Sequence, residues 1–83
     1  MLKGMKVLLK KVKGKDSASG YTYGAGLYGT VAMYRGYNLV VVGGDDSDWF
    51  EVWDEDGNPC GDTMGKYSEG LKELVAFGSG KYK

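Results

Sequence analysis

Hydrophobic and polar positions alternate along most of this chain with the period of a strand, and only the C-terminal quarter changes to the period of a helix. Leu39 to Val42 is a continuous leucine and valine run, too short for a helix and stopped by Gly43-Gly44, so it predicts a central strand covered on both faces. Trp49 to Asp54 alternates, with Phe50 and Val52 on one face and Trp49, Glu51 and Trp53 on the other. One face therefore carries two tryptophans around a carboxylate. Glu55-Asp56-Gly57-Asn58 contains the Asp-Gly pair of a hairpin turn, and Pro59, which has no N–H to donate, makes 59–63 an edge or a short return.

Upstream, Met5 to Val12 predicts a first strand with Met5, Val7 and Leu9 on one face and lysines on much of the other. Leu27 to Tyr34 predicts a second, with Leu27, Val31 and Met33 opposite Tyr28, Ala32 and Tyr34, turned by Arg35 to Asn38 into the central strand. Between them, Lys13 to Gly26 is long for a loop in a compact domain and holds Tyr21 and Tyr23, which points to a functional or partly extended arm. Downstream, Tyr67, Leu71, Leu74 and Val75 recur at amphipathic-helix spacing behind Ser68, with Gly78 as the stop. The expected helix is 68–77, and 78–83 is read as a frayed tail. The expected core includes Val7, Leu9, Val31, Val41, Phe50 and Val52.

Length limits what such a pattern can build. A chain of 83 residues is one domain that buries about 60–65% of its unfolded surface, a small core that leaves little room for a catalytic cleft. Fifteen glycines and 13% aromatics fit a turn-rich β domain rather than a disordered segment. Lone Cys60 has no partner for an internal disulfide. The apolar Val7-Leu8-Leu9 is broken at once by Lys10-Lys11, so no secretory signal is expected, and no run approaches the roughly 20 apolar residues of a membrane span. A reducing cytoplasm is the expected location, with no membrane.

Charge changes the picture more. Residues 1–43 hold seven basic residues against Asp16, a net +6, whereas residues 44–64 hold eight acids and no base, a net −8; residues 65–83 return +2. The net charge of zero conceals a dipole, which steers a charged partner.

Candidate chemistry is mostly excluded by context. Gly24 to Val31, GAGLYGTV, has the glycine spacing of dinucleotide and kinase loops, but Thr30 to Tyr34 reads as a strand where a dinucleotide site needs a helix, and a kinase needs histidine. Asp54, Asp56 and Asn58 open like a calcium loop, yet Pro59 and Gly65 stand where the sharp-turn glycine and the bidentate glutamate belong. With no histidine and one cysteine, ordinary zinc sites and Ser-His-Asp or Cys-His triads are absent. Neither an enzyme, nor a metal, nor a cofactor is expected.

What remains is a binding surface. Trp49 and Trp53 are either buried under Leu71, Leu74 and Val75 of the helix or left as an aromatic platform rimmed by Asp45, Asp46, Asp48 and Glu51, the composition of a protein-interaction hot spot. Tyr21 and Tyr23 beside Lys13 and Lys15 form a second candidate, suited to stacking on bases, and Lys3 to Lys15 supplies a basic face. The leading expectation is a non-enzymatic protein-binding module; the alternatives are a nucleic-acid-binding barrel or an acidic nucleic-acid mimic.

The Gly26 to Val31 stretch, the turn at Arg35 to Asn38 and the Leu39 to Val42 strand together resemble the pattern of small SH3-like barrels, including the KOW type. The hairpin from Trp49 to Asn58 is also similar to that of short SH3-like bacteriophage accessory proteins. The resemblance spans residues 5–63 and rests on strands and turns. It implies a small, strongly bent, mostly antiparallel barrel, here with one C-terminal α-helix, and a phage-type effector that inhibits or otherwise modulates a host protein in the host cytoplasm.

Overall fold

The computed structural model describes residues 3–11, 16–17, 21–22, 29–43 and 48–82. Five antiparallel strands form one sheet: β1 (Met5–Val7), β4 (Thr30–Tyr34), β5 (Tyr37–Gly43), β6 (Asp48–Trp53) and β7 (Pro59–Met64), in that spatial order. A separate ribbon pairs β2 (Lys10–Lys11) with β3 (Tyr21–Thr22), and one helix among the described residues, α1 (Tyr67–Gly78), follows the sheet. The fold is mainly β, as the alternation predicts. The sheet is open, with β1 and β7 at its edges, and α1 caps one face instead of the strands closing on themselves.

The strand expected over 5–12 is split. Its partner β4 has five residues and a register shift between Thr30 and Ala32, so pairing serves Met5 to Val7 and then one further bond, Leu8 N–H to Val31 O at 2.8 Å. Lys10 and Lys11 then pair instead with Thr22 and Tyr21, so part of the long glycine-rich segment is a strand. Two successive residues beside this irregularity, Val31 and Ala32, are both fully buried.

Tyr34 and Tyr37 close the β4–β5 hairpin around Arg35-Gly36, both at positive φ (49° and 88°), the signature of a two-residue type I′ turn. The β6–β7 turn is built on Asp54. Its Oδ1 accepts the N–H groups of Asp56 (3.0 Å) and Asn58 (2.9 Å), and its carbonyl accepts Gly57 N–H at 3.0 Å. The calcium-like spacing thus serves a side-chain-stapled turn.

The core is Val31, Ala32, Tyr34, Leu39, Val41, Phe50, Val52 and Leu74. Val7, expected inside, is exposed at 36%, because β1 is a three-residue edge strand while α1 packs over β4 to β7. Leu9 is only partly buried, against the rim of the core. Tyr34 and Leu39 take the places that the expected core list omits.

Helix α1 lies on the Phe50 and Val52 face. Leu74 is fully buried between Gly70 and Gly78, one turn before it and one after, whose missing side chains allow the close approach. A Cβ at Gly70 falls 3.0 Å from both Leu39 methyls, and one at Gly78 collides with the Tyr34 ring and lies 3.2 Å from its carbonyl oxygen. Gly78 is therefore a packing residue inside the helix, not the stop. The stop is Gly80 (φ 81°), where Gly80 N–H bonds to Phe77 O (3.1 Å) and Lys81 N–H to Ala76 O (2.9 Å), the Schellman pattern. The expected frayed tail accordingly folds back as far as Tyr82, whose hydroxyl donates to Glu73 at 2.7 Å and whose ring packs on Phe77 at 4.6 Å.

Candidate functional site: the tryptophan face of the sheet

A strand two-sided by alternation presents one face to α1 and the other away from it, and β6 does so with unequal contents. Phe50 and Val52 are completely buried beneath the helix. Trp49, Glu51 and Trp53 point the opposite way and stay partly exposed. Of the two alternatives left open by the sequence, burial of the indoles under Leu71, Leu74 and Val75 is excluded, and the tryptophans lie on the face away from the helix. The physical reason is parity: the helix must cover the side carrying Phe50, and two residues on one strand separated by an odd number cannot share a face.

The three exposed-face side chains form one unit. Glu51 Oε2 accepts the indole N–H of Trp49 at 2.7 Å, and Glu51 Oε1 accepts that of Trp53 at 3.0 Å. Each indole thereby spends its single donor on the carboxylate between them, which fixes both rings and leaves their π faces as the surface on offer. The row i, i+2, i+4 makes this possible, since it sets the three side chains along one face of an extended strand.

Cross-strand pairing supplies the floor. Val42 is opposite Trp49, Val40 opposite Glu51, and Asn38 opposite Trp53, while Pro59 of β7 flanks Trp53 on its other side. Paired residues share a face, so the tryptophans rise beside valines. Val40 is buried and Val42 partly so, which fits the apolar run read as a strand covered on both sides. Met33, paired with Asn38, and Lys6, paired with Met33, extend this face to the β1 edge. These floor residues are absent from the candidates read out of the sequence, because their membership depends on cross-strand register, which the continuous apolar run of Leu39 to Val42 does not encode.

The other candidates divide by place. Asp48 opens β6 opposite Gly43, at the end of the strand that carries the tryptophans. Asp45 and Asp46 lie outside the described residues, as do Tyr23, Lys13 and Lys15. Tyr21 sits in β3, directly opposite Lys11 of β2.

Other reactive groups have structural occupations. Cys60 is half-buried, with its thiol donating to Val52 O at 3.3 Å, and burial followed by the nearby Asp54 charge pushes its pKa up, away from a reactive thiolate. Burial likewise raises Tyr67, whose ring packs 5.7 Å from Phe50. Among the described residues, no group of three or more Cys, Asp or Glu side chains is placed to hold a metal ion, and no helix is long and apolar enough to cross a membrane. In comparisons with known proteins, no family model, no curated protein and no solved structure matches this chain.

Proposed function

We propose that this chain is a non-enzymatic protein-binding module that engages its partner through the tryptophan face of β6. The observation that carries the reading is the double hydrogen bond from Trp49 and Trp53 to Glu51 on the side of the sheet away from α1. Two large aromatic side chains held in place before binding lose little conformational freedom on association, and tryptophan is the residue most enriched at interface hot spots. The acidic surroundings add steering: the −8 segment of residues 44–64 contains this strand. The resemblance to short SH3-like phage proteins directs the search for a partner to a bacterial cytoplasm, where the module acts as an effector or inhibitor of a host protein.

The test is quantitative capture of a partner by immobilised wild-type and variant chains. Trp49→Ala weakens capture mainly by faster dissociation, and Asp46→Lys mainly by slower association, both with the far-UV spectrum preserved. Normal capture by both variants, together with loss on changing Tyr21 or Tyr23, moves the interface to the glycine-rich segment.

A second reading has its own support. The register of the small ribbon pairs Tyr21 with Lys11 and Thr22 with Lys10, which brings an aromatic position opposite a basic one, a combination that can serve single-stranded nucleic acid. On that reading, oligonucleotide affinity falls steeply with salt and drops when Lys10, Lys11, Lys13 and Lys15 become alanine. An absence of binding at about 50 mM salt, where phosphate contacts are strong, removes it.

A further inference from the structure

We infer that the Trp49–Glu51–Trp53 face recognises an arginine side chain on a basic peptide. The inference rests on the protein-binding reading above and names the chemistry of the partner.

Three features of the face select a cation. Both indole N–H groups are already donated to Glu51, so the rings have only their electron-rich faces and edges to offer, and a ring face attracts positive charge. Each Glu51 oxygen accepts one indole N–H and keeps a second lone-pair direction for another donor. No lysine or arginine among the described residues pairs with Glu51. It lies within a segment that contains eight acids and no base, a negative field that draws in a cation.

Arginine fits this arrangement better than lysine does. Its planar guanidinium stacks on an indole while its forked N–H groups address both oxygens of one carboxylate, and it sheds water more readily than a compact ammonium. The aliphatic stem finds apolar contact on half-buried Val42, which shares the face beside Trp49. Among the described residues, the cation that the register places on this face is Lys6, three strands away on β1, about 14 Å at ordinary strand spacing and beyond the screening length at physiological salt. Because β6 is paired on both sides by β5 and β7, the peptide lies across the sheet instead of joining it as a strand.

The experiment titrates the full chain with a blocked peptide of glycines around a central arginine, and with the same peptide carrying lysine or uncharged citrulline instead. Two-dimensional NMR follows the two indole N–H resonances. The arginine peptide is expected to shift both indole signals with a dissociation constant on the order of millimolar, as suits one side chain on an open face. Lysine binds several-fold more weakly, and citrulline leaves the indoles unmoved. Glu51→Gln, which keeps the side chain's size, lowers the arginine-peptide affinity on the order of tenfold. Glu69→Gln, the same charge change on the helix, leaves it unaltered. If Glu51→Gln does not fold, Trp53→Leu and the citrulline peptide on the native chain carry the test. Equal shifts from citrulline and arginine, or arginine-induced shifts confined to the Lys10–Thr22 ribbon, overturn the inference. Should protein capture still depend on Trp49 in that case, the protein-binding reading stands without the arginine; should capture be indifferent to Trp49, that reading fails first.

Discussion

Asp16 caps α1 at Ser68 from 52 residues away: its Oδ1 accepts the Ser68 backbone N–H at 3.2 Å and its Oδ2 accepts the Ser68 hydroxyl at 2.8 Å. The residue preceding the helix, Lys66, makes no side-chain cap, and Ser68 is the second helical residue. A distant carboxylate therefore satisfies one of the orphan N–H groups of the first turn and places negative charge at the positive end of the helix dipole.

Removing that cap gives the first prediction. Asp16→Ala should destabilise the fold by about 1 kcal/mol, the usual worth of a helix N-cap. Ser68→Ala should cost less, because the backbone N–H remains bonded. A urea-unfolding double-mutant cycle at these two positions should show a coupling energy; additive effects count against the cap.

The helix glycines give an ordered pair of effects. Alanine ordinarily favours a helix over glycine by about 1 kcal/mol. Gly78→Ala should nonetheless destabilise by about 1–3 kcal/mol, since the added methyl meets an aromatic ring and a backbone carbonyl that have little freedom to move. Gly70→Ala meets side-chain atoms alone, the Leu39 methyls and Phe50 Cβ, with no backbone atom among the nearest contacts, and should cost less than Gly78→Ala. Urea midpoints in the reverse order refute the packing account.

The two faces of β6 should respond oppositely to truncation. Phe50→Ala empties a completely buried site and should cost on the order of 3–5 kcal/mol, enough to unfold a domain of this size. Trp49→Ala acts on a partly exposed face and should leave a cooperative transition and the far-UV spectrum intact. Thermal melts monitored by circular dichroism separate the cases, and unfolding of Trp49→Ala assigns the indole to the core.

Alkaline pH should weaken the fold. Burial pushes both the Cys60 thiol and the Tyr67 phenol up, so in the folded state each holds its proton at pH values where the unfolded chain has lost it. A raised pKa contributes stability that is complete below the unfolded value and is lost as pH rises through the folded one. The decline should begin past about pH 8.5 for the thiol and about pH 10 for the phenol. Melting temperatures between pH 7 and 11 test this, and Cys60→Ala with Tyr67→Phe should flatten the slope. The same shift predicts slow labelling of native Cys60 by thiol reagents at pH 8 relative to the urea-unfolded chain.

How much of this was legible in the chain depends on whether the signal was local. The strands from Leu39 onward, both of the later turns and the helix could be placed because each rests on neighbouring residues: a valine run, an alternation, an Asp-Gly pair, a 3.6-residue period. The partition of Phe50 and Val52 from Trp49, Glu51 and Trp53 was legible for the same reason. The first strand was not, because its length is set by β4 and by a register shift in that partner. The role of Gly78 was hidden as well: a glycine near a helix end reads as a stop, and only the approach of Tyr34 makes it an interior contact.

A mainly β chain with one C-terminal helix, a two-faced β6 and a segregated charge all follow from the residue order alone, since periodicity and composition are properties of residues and their neighbours. Three outcomes came instead from the assembled fold: which face of β6 the helix covers, that Glu51 ties both indoles, and that Asp16 caps α1. They hang on cross-strand register and on contacts between residues far apart in the chain. No local pattern encodes them, because Phe50 and Leu74 are buried together only when the sheet and the helix meet.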